Sequence, residues 1–526
     1  RIAIKDNAKI TSSGFNGGGE ILIGGNYLGR GPEPNASATV ILKGAEITAD
    51  ALESGDGGRV IVWSDDYTNF LGSISAQGSE TGLGGFVETS SKNNLQAFGN
   101  VNASGGIGGG TYLLDPADVE ITTTDNDFNI SGTPNLFDPQ GTDARISVST
   151  ILASLANSDV FITTLNGGGE DGTITLNADL TYTGSTNRLF QLVAAEDIVI
   201  NKSIKATGSG NLGVYFNAQG DVSIGSGTAL NVEIVTKGGV FQVTGANDEG
   251  RGFMGGVADG AGSFTSHSSS IINTTGKDDS TGGAVTISSA VRNPGGGNTS
   301  GNIIIGGDIT TTGGTVTSSG AGKAGGAVSI EARNAGTLSI ESGADITTTG
   351  SAGHTSGAGG AGGIVTLNTA ATTLTLKDTK IDTSGGAGAG AAAGAGGTIT
   401  ISDPLTISTG EVELTTGSSA GNITTDTIDG NTSLKLTPGT GTISTGALGG
   451  TTPLTGLTYN GPITLSNDIT LAGAFEVTGA ASLGANITIN TSSGNGAVTF
   501  GSTLNGSNAL TISSGSGDVT FQGIIG

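Results

Sequence analysis

Residues 282–287 read Gly-Gly-Ala-Val-Thr-Ile. The phrase returns as Gly325-Gly326-Ala327-Val328-Ser329-Ile330, Gly362-Gly363-Ile364-Val365-Thr366-Leu367 and Gly396-Gly397-Thr398-Ile399-Thr400-Ile401. Two glycines and a variable residue precede apolar residues at alternate positions. Successive phrases start 43, 37 and 34 residues apart. A second phrase travels with the first: Ile309-Thr310-Thr311-Thr312-Gly313, Ile346-Thr347-Thr348-Thr349-Gly350 and Ile381-Asp382-Thr383-Ser384-Gly385, spaced 37 and 35 residues. Two phrases moving at similar periods imply one structural unit that stacks on itself.

The units are strands. Period-two alternation and the dominance of Val, Ile and Thr suit a pleated surface. Gly-rich stretches such as 385–397 permit tight corners. Hairpins would show Asn-Gly or Asp-Gly at short spacing; here the turns are long and irregular while the strand phrases recur. The pattern predicts an all-β fold, a parallel β-solenoid in which each strand stacks on its equivalent one turn later. If each unit makes one to two rungs, the chain holds on the order of 25 rungs and, at about 4.8 Å per rung, extends roughly 120 Å. Its core would be thin, built of Val, Ile and Leu ladders.

Composition agrees and excludes much else. The chain has 526 residues, 98 of them Gly, no Cys, two His and a net charge of −25, with charged residues at 12% and aromatics at 4%. Mean hydropathy is +0.06, too apolar for a disordered polyelectrolyte. No run of about 18 apolar residues could cross a membrane as a helix. Nothing basic is clustered to neutralise phosphates, which argues against nucleic acid. Without Cys there are no disulfides and no zinc-thiolate sites.

Three regions follow. Residues 1–116 carry the strand phrases at wider variation, starting at Gly18, Gly57, Gly84 and Gly109. Residues 117–165 are predicted as a loop and short-helix excursion on the flank. Within them, 149–157 is the one good helix candidate, capped by Ser149 or Thr150 and apolar at Ile151, Leu152 and Leu155. Residues 166–526 resume the repeat. The opening RIAIKDNAKI already reads as strand, so the expectation is that a natural leader has been removed. The last residues, 517–526, read as a rung with no polar cap, which leads to the expectation of a covering partner or of end-to-end stacking into filaments.

The phrases GGGEILIGG (17–25), GDGGRVIVWSDD (55–66), GGFVETSS (84–91) and LLDP (113–116) resemble two-partner-secreted exoproteins of the filamentous-haemagglutinin and high-molecular-weight-adhesin type, found in Gram-negative bacteria and cyanobacteria. The resemblance covers about a quarter of the chain and lacks that family's secretion domain. It implies a single-stranded right-handed parallel β-helix, exported through an outer-membrane β-barrel partner to the cell surface. It implies an adhesin or structural role without enzymatic activity, with surface glycans or the chain itself as partners. The alternative from the fold class is a β-helical protein that binds or degrades polysaccharide.

No residue stands out as catalytic, cofactor-binding or metal-binding, because each candidate has a plainer role. Asp125, Asp127 and Asn129 match the start of a calcium loop, but Ile130 and Leu136 stand where Gly and Glu are needed. Asp65-Asp66, Asp248-Glu249 and Asp278-Asp279 are paired acids, yet neighbours on a strand point to opposite faces. A loose GxGxxA at 388–393 lacks a strand–helix context. His267 and His354 lie in separate turns, and Trp63 suits a wide rung or a cap. Outward Thr ladders could order water as ice-binding faces do, but the spacing varies and Asp382 interrupts it.

Overall fold

The computed structural model describes residues 1–123, 137, 144–165, 172–244, 262–289, 301–333, 335–369 and 372–526. Two compact units form, Arg1–Val232 with Gly245–Ala261, and Glu233–Thr244 with Gly262–Gly526. Each is a parallel β-solenoid. The strands are mostly three to five residues long, as the short Val/Ile/Thr runs between glycines dictate.

In the first unit each turn visits three faces. Face one stacks Ile2–Ile4, Ala38–Ile41, Tyr67–Phe70 and Asn94–Ala97. Face two stacks Lys9–Thr11, Glu46–Thr48, Ser73–Ser75 and Asn100–Asn102. Face three stacks Glu20–Ile23, Arg59–Val62, Phe86–Ser90 and Thr111–Asp115, then continues through Asp159–Thr163, Arg188–Ala194 and Leu212–Ala218. Each of these pairings is parallel and in register.

The second unit repeats the scheme. Its face three aligns Val285, Val328, Val365, Ile399, Ile423 and Ile443 in one inward column, all buried. Burying each such side chain contributes about 1.5–3 kcal/mol. The core is therefore a set of one-residue-wide apolar columns. Among the described residues the one antiparallel contact is an isolated bridge between Gly320 and His354.

The Gly-Gly phrase has a specific cause. At the corner between faces two and three, the chain closes a neck. The second glycine donates its N–H to the carbonyl of the residue ending face two: Gly283 to Thr274, Gly326 to Thr311, Gly363 to Thr348 and Gly397 to Thr383, at 2.6–2.8 Å. The same threonines return the bond, each hydroxyl donating to that glycine's carbonyl at 2.6–2.7 Å. Loops of 8, 14, 14 and 13 residues are pinched off between them, so their length changes without disturbing the strands on either side. Adjacent necks nearly touch. A Cβ on Gly326 would lie 2.1 Å from the Gly283 carbonyl oxygen, and one on Gly363 2.0 Å from that of Gly326.

The first unit uses the same neck with alanine in place of threonine. Gly58, Gly85 and Gly110 donate to the carbonyls of Ala49, Ala76 and Ala103 at 2.6–2.8 Å, with no hydroxyl to answer. Thr311, Thr348 and Thr383, expected within an outward ladder, are fully buried. They end a strand where the chain bends inward, and the neck carbonyl takes their hydroxyls.

Segment 117–165 does more than flank the coil. Val119–Thr122, Ala144–Ser147 and Asp159–Thr163 all join the ladders. Ala144–Ser147 inserts between Asn94–Ala97 and Val119–Thr122, so two strands of face one run against sequence order. Phe137 packs outside face one against the cluster of Ala38, Val40 and Tyr67. The helix is Val148–Leu155. It starts earlier than the sequence suggests because Ser147, the last residue of the strand, caps it by accepting the Thr150 N–H at 3.0 Å. Ile151 and Leu155 are buried and Leu152 is half-buried. The helix contacts both Asn100–Asn102 and Leu180–Tyr182, standing in for one strand of face two.

Two consequences are measurable by urea unfolding. Gly326→Ala should cost about 1–3 kcal/mol or more, because backbone rather than a yielding side chain blocks the methyl. Gly450→Ala, where a Cβ meets nothing within 4 Å, should stay within about 0.5 kcal/mol. Thr348→Val should cost about 1–3 kcal/mol by leaving the buried Gly363 carbonyl without its donor, whereas Thr348→Ser should retain most of the stability.

Candidate functional site

Face two of the first unit builds a polar shelf. In Glu46–Thr48, Ser73–Ser75 and Asn100–Asn102 the central Ile47, Ile74 and Val101 are buried in the core. Period-two geometry then turns both flanking residues of each strand outward. Glu46, Ser73 and Asn100 form one column, and Thr48, Ser75 and Asn102 the next. The helix rises beside the last strand, and its Ala153 together with Asn157 of the turn after it forms a wall. Together they enclose an open groove of about 360 Å³.

Hydrogen bonds orient part of this floor. Asp50 Oδ1 accepts from Ser75 Oγ and from the Gln77 N–H, both at 2.7 Å. Gln77 Nε2 donates to Ser75 Oγ at 2.9 Å, and Ser104 Oγ donates to Gln77 Oε1 at 3.3 Å. Of the residues lining the groove, Glu46 alone carries a carboxylate, and it pairs with Lys9 at 2.9 Å. That partner raises the lysine pKa through its hydrogen bond and charge. Hydroxyls and amides repeating about every 4.8 Å suit a polyhydroxylated chain.

A second polar feature lies under a cap on face three. The Tyr27–Gly29 turn presents Leu28, at φ 54°, over the sheet. Leu28 joins Leu113, Phe161 and Leu189 in an apolar cluster with Tyr27, Phe86 and Tyr215. Its N–H donates to Glu88 at 3.2 Å and 3.3 Å to the two carboxylate oxygens. Arg59 pairs with Glu20 at 3.2 Å and lies over the Tyr27 and Phe86 rings. Glu88 is fully buried. Burial, reinforced by the negative charge of Asp115, pushes its pKa up to about 8. Sequence reasoning missed Glu88 because its strand parity points it outward, where solvent is the normal surrounding; only the cap buries it.

The residues singled out from sequence are dispersed. Trp63 is buried against Gly25 and Gly29 under the cap, and its Nε1 donates to Asp65 Oδ1 at 3.3 Å. Asp65 also accepts from Asn35 at 3.0 Å, while Asp66 faces solvent. Asp278 and Asp279 are exposed, and the Thr317 hydroxyl holds the Asp279 carboxyl below the usual range. His267 contacts Ser269, and His354 contacts Thr355, on different corners. Gly388–Ala393 forms loop with no helix after it. Asp125, Asp127, Asn129, Asp248 and Glu249 lie outside the described residues. Among the described residues no group of three or more His, Cys, Asp and Glu could hold a metal ion.

The cap gives a pH test. Glu88 has a folded pKa far above its unfolded value of about 4.3, so its contribution is complete below pH 4 and is lost as pH rises through 8. Thermal unfolding from pH 4 to 9 should show the first unit weakening by on the order of 3–5 kcal/mol. Glu88→Gln should flatten that dependence.

No protein-family model matches this sequence, and comparison with curated proteins finds none similar to it.

Proposed function

We propose that this chain is a non-enzymatic extracellular adhesive and structural protein whose polar shelf engages surface glycans. The observation that carries the reading is the groove itself. Three successive rungs offer hydroxyl and amide side chains in register against a helical wall. Such contacts are individually weak, and affinity would come from many at once. The lone, lysine-paired carboxylate of the lining supports binding over cleavage, since glycoside hydrolysis employs two acids facing one another across the bond.

The export route is part of the proposal: passage through an outer-membrane β-barrel partner in the two-partner manner. A Cys-free chain with few charges can cross a pore extended. Rungs forming in sequence at the exit would draw the remainder through, because each new rung pairs with the one before it.

Titration against panels of neutral and acidic oligosaccharides tests the glycan reading. At least one neutral glycan should bind. Asn100→Ala/Asn102→Ala should weaken it roughly tenfold, as loss of two hydrogen-bonding groups implies. Absence of binding throughout the panel, or release of new reducing ends, would overturn the proposal.

A further inference from the structure

Glycan binding on the shelf does not use the cap over face three. Segment 25–28 of that cap is bounded by two glycines with left-handed backbone, Gly24 at φ 79° and Gly29 at φ 65°. Glycine enters and leaves that region without a steric penalty, so both positions can act as hinges. Leu28 between them also lies in the left-handed region, at φ 54°. That conformation strains a residue with a side chain, and its buried contacts must offset the strain.

The closed cap covers two things. One is Trp63, which is 2% exposed. A Cβ on Gly24 would meet the Trp63 carbonyl oxygen at 2.2 Å, and one on Gly29 would meet the indole ring at 2.5 Å. The other is the apolar cluster in which Leu28 packs with Leu113, Phe161 and Leu189.

The Leu28 N–H ties the cap to Glu88, reaching both carboxylate oxygens. The surroundings of that carboxyl suit its neutral form. Arg59 faces it from strand Arg59–Val62, but pairs with Glu20 at 3.2 Å and lies over the Tyr27 and Phe86 rings. Asp115 faces it from strand Thr111–Asp115 and repels a second negative charge. Ser90 bonds it from its own strand. On the cap, Tyr27 lies within reach of its charge, with Arg30 beyond. A fully buried carboxyl that ionises must gain water. The sheet lies beneath Glu88, so the hinged cap is the cover that can yield.

We propose that the cap is a pH-operated lid: ionisation of Glu88 lifts Tyr27 and Leu28 off face three, while the solenoid beneath stays folded, and uncovers Trp63 and the apolar cluster. With the lid closed, burial and Asp115 push the Glu88 pKa up to about 8, against about 4.3 in water. The closed state is fully favoured at acid pH and loses its advantage as pH rises towards 8. This places the change in the cap and not in the unit as a whole, and it holds whether or not the shelf binds glycans.

Trp63 is the only tryptophan of the chain, so its fluorescence reports the lid directly. Emission and acrylamide quenching of the full chain are followed from about pH 6 to about pH 9.5, with far-UV circular dichroism alongside. Emission should shift to the red and quenching rise several-fold by about pH 9. Both should reverse on return to the starting pH, at constant circular dichroism. Glu88→Gln, which keeps the shape of the protonated side chain, should hold the low-pH emission throughout. Leu28→Ala gives up apolar contact and should open roughly one pH unit lower. Constant wild-type emission, a red shift shared by Glu88→Gln, or one that coincides with loss of circular dichroism would overturn the inference. So would an unchanged midpoint in Leu28→Ala.

Discussion

Backbone contact at the corner between faces two and three governs the rest of the structure. Neighbouring necks lie so close that a single methyl on the second glycine would overlap the carbonyl of the previous rung. Glycine there is a steric requirement, and it aligns the face-three strands that follow such a neck, each with the one below. With the neck closed, the loop beyond it can vary in length without disturbing the ladder.

The two units satisfy the same constraint with different chemistry. Threonine closes the neck with a second bond in the second unit, and alanine does without that bond at Gly58, Gly85 and Gly110 of the first. The outer surfaces also diverge. In the first unit a cap covers face three, burying Glu88, Trp63 and an aromatic cluster around Arg59. On face two a helix replaces one strand, and that substitution makes the groove: without the wall of Ala153 and Asn157, the Ser and Asn columns would be a flat solvated sheet. Both features place unusual groups on the outer faces of a thin-cored scaffold.

The proposed adhesive role fits such a molecule for a physical reason. A thin core of stacked apolar columns leaves faces and corners as the surfaces on which the proposed recognition would act. There, repetition supplies many similar polar contacts at fixed spacing, as on the shelf.

Strand period, the Gly-Gly phrase and the irregular loops by themselves determined a parallel solenoid, because alternation and recurrence are local properties that survive without knowledge of neighbours. The helix near 149–157 was legible for the same reason, apart from its cap at Ser147. What only the tertiary structure decided depends on elements distant in sequence meeting. Ala144–Ser147 inserts backwards into face one because its pairing is set by long-range register. Thr311 and Thr348 turn inward because the chain bends at the neck. Glu88 is buried because residues sixty positions earlier fold over it. The shelf exists because a helix stands where a strand would stack. No local pattern encodes these, since each is a relation between rungs and not a property of one.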